Sequence, residues 1–243
     1  MPLPGAKKTG KGEQMKSVFV TGADRGVGFA LCQQFVEHGW KVYAGQFMPE
    51  WSELKGLQES CGEQVEMIPL NAADTESVRA AADIVAKRTE SLDMLVNCAG
   101  IGGMDDDREA MRAVFHVNTL GPMRMVEAFL PLMRTGLKRL CFVSSEAGSI
   151  SVAHRTDSFA YCMSKTALNM EVRLMFNRLA KDGYSFRLYH PGWVRSYMMG
   201  SKSTIGNFEP EETAAVAYAQ FAEDRDWEDV LVMTDVSNEC WPF

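Results

Sequence analysis

The sequence predicts a single doubly wound α/β domain: a mostly seven-stranded parallel sheet with helices on both faces. Three observations carry this reading. From Lys16 onward, short β-branched or aromatic runs alternate with longer segments of helical period, the pattern of successive βαβ units. Glycine stands close behind several helical segments, at Gly39, Gly62, Gly136 and Gly183, where it acts as a stop signal. No linker, low-complexity tract or internal repeat breaks the alternation, so residues 16–243 are expected to form one domain.

In order, the β-prone run Ser17–Thr21 is the first strand, and the glycine-opened segment Gly26–His38 is the first helix, ended by Gly39. Lys41–Gly45 is the second strand, followed by a helix over Trp51–Ser60 that Gly62 ends. Gln64–Leu70 and Leu92–Asn97 are strands flanking a helix over Thr75–Glu90. A long helical segment, Arg108–Met133, stops before Gly136 and leads to the strand Lys138–Ser144. The helix Phe159–Lys181 stops at Gly183, ahead of the strand Ser185–His190. A helix over Glu211–Glu223 and a strand over Asp229–Met233 complete the series.

Composition bounds the function. Of 243 residues, 25 are Lys or Arg and 32 are Asp or Glu, a net charge of −7. That balance disfavours nucleic-acid and anionic-membrane partners, which are held mainly by Lys and Arg, and favours a small-molecule partner. No apolar run approaches the ~18 residues of a membrane span. The first sixteen residues carry Lys7, Lys8, Lys11 and Lys16 among Pro, Gly and Thr without an apolar core, so residues 1–15 read as a flexible tail rather than a secretory signal. Met15 is an alternative start. Six cysteines occur without a C-x-x-C pair or zinc-finger spacing to His38, His116, His154 or His190; no metal site, reduced thiols and a cytoplasmic location are expected.

In doubly wound sheets ligands bind beyond the carboxyl ends of the strands, so the residues just after each strand matter most. Thr21-Gly22-Ala23-Asp24-Arg25-Gly26-Val27-Gly28 follows the first strand. Glycines there let backbone approach a pyrophosphate at a helix N-terminus; the lesser alternative for the spacing G-x-x-x-G-x-G is a plain glycine turn. Asn97-Cys98-Ala99-Gly100 follows the fourth strand, as a ligand contact or an ordinary strand-ending turn. After the fifth strand come Ser144-Ser145-Glu146-Ala147-Gly148 and then Tyr161 and Lys165, four apart. On a helix that spacing puts both side chains on one face, where the ammonium would lower the phenol pKa from about 10 and fit Tyr161 for acid–base work.

Together these pieces resemble the short-chain dehydrogenase/reductase family, in its short single-domain, Rossmann-type branch. The family patterns T-G-x-x-x-G-x-G, N-x-A-G and Y-x-x-x-K match Thr21–Gly28, Asn97–Gly100 and Tyr161–Lys165 in order. The resemblance extends to Asn118, Ser145 and Pro191-Gly192-Trp193-Val194-Arg195-Ser196, and so covers nearly everything after the tail. His190–Met198, the acidic helix start near Glu209 and the closing Trp241 are similar to the C-factor-like subgroup.

The resemblance implies a catalytic set of Asn118, Ser145, Tyr161 and Lys165. Tyr161 exchanges the hydroxyl proton, Lys165 tunes it and holds the nicotinamide ribose, Ser145 holds the substrate oxygen, and Asn118 supports a water-linked proton route. It implies cofactor contacts at Gly22, Asp24, Arg25, Gly26, Val27, Gly28, Asn71, Ala72, Asn97, Ala99, Gly100, Pro191, Gly192, Val194 and Ser196, besides Tyr161 and Lys165. Asp24 departs from the usual Ser or Asn, and its carboxylate is expected to turn away onto backbone. Asn71 replaces the usual Asp at the adenine, where its amide oxygen can still accept. Gly45-Gln46-Phe47 carries no acid before Glu50, while Arg25 is placed to meet a 2′-phosphate, so NADP(H) is expected over NAD(H).

The expected substrate wall is Ile101, Ser145, Trp193, Tyr197, Met198, Met199, Ile205 and Phe208, facing residues 149–159, and suits an apolar carbonyl compound; some of these side chains could instead pack the loop down. Asp105-Asp106-Asp107 reads as a solvated run. Family members dimerise through the fourth and fifth helices, so a homodimer or homotetramer is expected, with Met170, Leu174 and Met175 as interface or core. The predicted function is an NADP(H)-dependent carbonyl reductase or alcohol dehydrogenase. The competing readings are a non-catalytic NADP(H)-sensing protein and an epimerase or dehydratase with tightly held NAD.

Overall fold

The computed structural model describes residues 15–102, 107–198 and 200–243. Residues 1–14 of the expected tail, Asp105 and Asp106 of the acidic run, and Met199 of the expected substrate wall lie outside them. The strands are β1 (Ser17–Val20), β2 (Lys41–Gln46), β3 (Val65–Pro69), β4 (Met94–Asn97), β5 (Arg139–Val143), β6 (Ser185–His190), β7 (Met233–Asp235) and β8 (Cys240–Trp241). They form one sheet in the order β3-β2-β1-β4-β5-β6-β7-β8. The first seven are parallel, and β8 returns antiparallel to β7. Strand order reverses between β1 and β4, which places the crevice for ligands at the ends of those strands.

Side chains alternate across the sheet with period two. Val18 and Val20 of β1 join Val42, Val96 and Cys141 on one face, under α1 (Gly26–Glu37) and α7 (Pro210–Ala222), where Leu31, Phe35, Ala217 and Phe221 are buried. Phe19 points the other way with Leu95, Leu140 and Phe142, under α3 (Thr75–Ala86), α5 (Leu120–Phe129) and α6 (Phe159–Leu179). Each fully buried Phe or Leu contributes about 1.5–3 kcal/mol. The remaining helices are α2 (Glu53–Cys61) and α4 (Arg108–Asn118). Gly39, Gly62, Gly136 and Gly183 all take positive φ, between 56° and 83°, as helix stops should.

Three expectations are corrected. The helix expected over Arg108–Met133 is two helices and a closing 3₁₀ turn, with a break at Thr119 (φ −115°, ψ −68°). Pro122 has no N–H, so the Asn118 carbonyl lacks the donor that would carry the ladder through. The seventh strand is Met233–Asp235, not Asp229–Met233: the apolar run before it supplies one buried side chain, Leu231, and leaves Val230 in solvent. The sheet therefore has eight strands. The short β8 is held by Asp235, which accepts the N–H groups of Ser237 and Glu239 and the Trp241 indole N–H.

Candidate active site

At the end of β1 the chain makes a turn that only glycine fits. Gly22 (φ +66°) lies so close to the β4 turn that a Cβ on it would sit 2.8 Å from Ala99 Cα. A Cβ on Gly28 would be 2.1 Å from the Gly22 carbonyl oxygen. Thr21 locks the two turns together: its buried Oγ1 accepts the N–H groups of Cys98 and Ala99, each at 3.0 Å. Beyond the turn, α1 starts from extended Arg25 with no side-chain cap and no acid in its first turn. Its first N–H groups, with the positive end of the helix dipole, suit the pyrophosphate of a dinucleotide.

Asp24 does turn away, further than expected. Its buried carboxylate accepts the N–H groups of Phe47 (3.0 Å) and Met48 (2.8 Å), in the loop after β2. It therefore shapes the loop after β2. Arg25 lies over the rings of Trp51 (4.7 Å) and Tyr197 (5.5 Å) and donates to the carbonyls of Tyr197 and Gly200. Asn71 directs its amide oxygen into a local turn, accepting from Ala73 N–H at 3.0 Å, which leaves one lone pair for another donor. Asn97 is buried, with an Oδ1 that has no partner.

Asn118, Lys165, Tyr161 and Ser145 converge beside these turns. Asn118, at the helix break, holds Ile101 at both backbone groups (2.9 Å each) and donates to Ser164 Oγ at 3.1 Å. The break leaves its own carbonyl without an intrahelical donor. A Cβ on Gly100 would lie 3.6 Å from Asn118 Oδ1 and 3.7 Å from Lys165 Nζ, so these groups share one small space. Lys165 is buried and donates to the Val143 carbonyl at 2.9 Å; burial brings its pKa down to about 8.

The Lys165 ammonium stands 5.9 Å from the centre of the Tyr161 ring, on the helix face that the spacing predicted. The expected lowering of the phenol pKa is not found. Burial pushes Tyr161 up to about 12, a hydrogen bond with Ser145 opposes this, and the Glu146 carboxylate adds to it. Desolvation dominates, and the Lys165 ammonium is engaged with the Val143 carbonyl.

Ser145 opens a 3₁₀ turn over Glu146–Gly148, accepting Ala147 N–H at 3.2 Å and donating to Glu146 Oε2 at 2.6 Å. The other Glu146 oxygen pairs with Arg155, and His190 Nδ1 stands 3.8 Å from Oε2. The sequence reading missed Glu146 and Arg155. An acid adjoining Ser145 was a visible signal; Arg155 lies in a loop where no periodicity placed it.

The loop after β6 covers the other side. Gly192 (φ +75°) is fixed because a Cβ would meet the Phe208 ring at 2.7 Å. Pro191 is tied through its carbonyl to Thr213 (2.9 Å), Val194 bridges to Phe208, and Ser196 N–H donates to the Val194 carbonyl (2.8 Å). Arg195 and Lys202 both pair with Glu209. Trp193, Met198 and Ile205 project into solvent on this loop, free to meet a ligand. Phe208 instead packs the loop down; Ala72 is buried, and Val27 and Ile101 are partly buried.

A family model described as short chain dehydrogenase matches residues 16–205. The chain is 41% identical to C-signal of Myxococcus xanthus over 123 residues, 48% of this chain and 74% of that protein, in keeping with the subgroup resemblance. It is 32% identical over 209 residues to 1-hydroxy-2-glutathionyl-2-methyl-3-butene dehydrogenase of a Rhodococcus species, covering 83% of this chain and 88% of the relative. Among solved structures, NADPH-bound carbonyl reductase from chicken fatty liver superposes with a TM-score of 0.83 at 25% identity, covering 95% of this chain and all of that one. These likenesses, with the turn geometry above, establish that the chain is an oxidoreductase of the short-chain dehydrogenase/reductase family.

Proposed function

We propose that this enzyme is NADP(H)-dependent and moves a hydride between nicotinamide and the carbonyl or hydroxyl carbon of a small, largely apolar substrate, with Tyr161 as general acid and base. The observation that carries the reading is the convergence of Tyr161, Ser145, Lys165 and Asn118 beside an uncapped helix N-terminus framed by Gly22, Gly26 and Gly28. The NADPH-bound carbonyl reductase of the same fold supports it.

The first turn of α1 and the Asn97–Gly100 turn would hold the dinucleotide, Asn71 and Ala72 would border its adenine, and Pro191, Gly192, Val194 and Ser196 would border its nicotinamide. When bound, the nicotinamide supplies or accepts the hydride. In reduction, Tyr161 gives its hydroxyl proton to the substrate oxygen, which Ser145 helps to hold. Lys165 keeps two donor positions beyond the one spent on Val143, enough for a ribose hydroxyl. The Asn118 carbonyl, released from the helix ladder, would anchor a water that links Lys165 to solvent and so returns the proton. Arg25, with no acid ahead of Glu50 after β2, favours the 2′-phosphate of NADP(H) over NAD(H).

Trp193, Met198 and Ile101 would form the apolar side of the substrate crevice. Helix α6 exposes Phe159, Met163, Met170 and Leu174 along one side, a spacing suited to a second copy of the chain, in a homodimer or homotetramer. Among the described residues no helix is long and apolar enough to cross a membrane; a cytoplasmic location is part of the proposal.

The test follows absorbance of NADPH and NADH separately against a panel of aldehydes and ketones, with Tyr161→Phe as the blank. NADPH consumption that falls ~10²- to 10⁴-fold in the variant, while NADPH still binds, is expected. Full activity in Tyr161→Phe would refute the acid–base assignment.

A further inference from the structure

The loop after β6 is tied down at its base by Gly192, Phe208 and Glu209. Its tip is tied elsewhere. The described residues at 197–200 are hydrogen-bonded to the rest of the protein only through Arg25, whose Nη2 donates to the Tyr197 carbonyl at 3.2 Å and whose Nη1 donates to the Gly200 carbonyl at 3.4 Å. The same guanidinium lies over the Tyr197 ring (5.5 Å) and the Trp51 ring (4.7 Å), and the two rings meet edge-on at 5.2 Å. Trp51 belongs to the segment after β2, which Asp24 holds through Phe47 and Met48. A Cβ on Gly26 would lie 3.8 Å from the Tyr197 ring, so the tip rests on the first turn of α1. One arginine at that turn joins the loop after β2 to the loop that carries the proposed substrate wall.

A guanidinium has five N–H groups in a rigid fork. Two are spent on the loop carbonyls, and the other three remain for a phosphate. We propose that Arg25 is a positioning residue for the substrate loop as well as a cofactor contact: the 2′-phosphate, by fixing the guanidinium, fixes Tyr197 and Gly200 and with them Met198, so that NADP(H) in place of NAD(H) is felt at the substrate wall. The inference rests on the reading that the dinucleotide lies at the α1 N-terminus with its 2′-phosphate at Arg25. The coupling is entropic in origin. A long arginine side chain loses its rotamer freedom once, when a charge-assisted bond fixes it, and the loop then closes onto a partner already in place. Coupling is reciprocal, so a loop held by Arg25 between Trp51 and Tyr197 raises affinity for the 2′-phosphate by the same factor.

The experiment reads, by NMR on the full chain, hydrogen exchange of the Gly200 and Ser203 N–H groups, which donate to the Tyr197 and Ser196 carbonyls at 2.9 and 2.8 Å. The probes are adenosine 2′,5′-bisphosphate and adenosine 5′-monophosphate, each at saturation. Neither carries nicotinamide, so neither can reach the loop from the nicotinamide side. The bisphosphate is expected to slow both amides about fivefold or more relative to the monophosphate, the lower end of ordinary coupling between sites. In Arg25→Ala the two probes should act alike, and both amides should exchange faster than in wild type even without a probe. Trp51→Leu, which leaves Arg25 and both carbonyls in place, should shrink the difference between probes. Slow exchange of Leu140 and Cys141 in β5 reports that each variant is folded, and should Trp51→Leu not fold, Arg25→Ala decides alone. Equal exchange under the two probes in wild type, or a difference that survives Arg25→Ala, overturns the proposal. Failure of the underlying reading looks different: the bisphosphate would bind no more tightly than the monophosphate, and Arg25→Ala would leave both affinities unchanged.

Discussion

Thr21→Val tests whether one hydroxyl joins the two halves of the cofactor crevice. Valine has nearly the shape of threonine, so packing at this buried site, 1% exposed, is kept while the acceptor is lost. The N–H groups of Cys98 and Ala99, both at 3.0 Å from Thr21 Oγ1, then have no partner in the protein. A stranded donor costs about 1–3 kcal/mol, so the pair predicts a loss of about 2–6 kcal/mol. For a chain of this size that is a fall in Tm of about 5–20 °C. Thr21→Ser keeps the oxygen and should lose only the methyl contribution, about 1 kcal/mol. Urea unfolding of the three proteins, with dinucleotide affinity by fluorescence, reads both effects. Thr21→Val should weaken cofactor binding because the Ala99 turn is no longer clamped to Gly22. A loss under about 1 kcal/mol, or equal losses in the two variants, would refute the clamp.

Arg25→Ala should weaken NADPH about 10- to 150-fold, the worth of a charge-assisted hydrogen bond of about 1.5–3 kcal/mol, and leave NADH nearly unchanged; equal losses for both cofactors in a binding titration would count against a 2′-phosphate contact. Lys165 carries a pKa of about 8 when folded against 10.5 as an ordinary lysine. Between those values the unfolded chain holds the proton and the folded one does not, so this group's contribution to stability rises with pH. Relative to Lys165→Met, wild type should gain about 1–2 kcal/mol in urea unfolding between pH 8 and pH 9.5; a parallel pH dependence of the two proteins would show that Lys165 is not desolvated.

What was legible in the sequence is what the backbone had to satisfy locally. Gly22, Gly26 and Gly28 announce themselves because a side chain at Gly22 or Gly28 would strike backbone. The spacing of Tyr161 and Lys165 follows from helix geometry and survives in the structure. The sequence did not disclose interactions whose partners are distant in the chain. Asp24 reaches Phe47 and Met48, Arg25 reaches Tyr197 and Gly200, and Glu146 meets Arg155 across a loop. Nor did helical period reveal the break at Thr119, because apolar residues continue through it; the missing N–H of Pro122 was the local sign. β8, two residues long, is too short to show alternation.

The break and the sign of the Tyr161 shift bear on one another. An unbroken helix through Asn118 would satisfy its carbonyl internally, whereas Lys165 has a backbone acceptor of its own in Val143. Lys165 is buried deeply enough to hold its proton weakly, and Tyr161 holds its own tightly. A base that gives up protons readily, next to an acid that keeps them, works in turnover only if the lysine exchanges with water. Asn118 contributes two parts of one residue: its side chain fixes Ile101 and Ser164, and its carbonyl is released from the helix ladder by Pro122, as the proposed proton route requires. With the phenol at about 12 and the ammonium at about 8, Tyr161 holds its proton at neutral pH, as the acid role proposed for it in reduction requires.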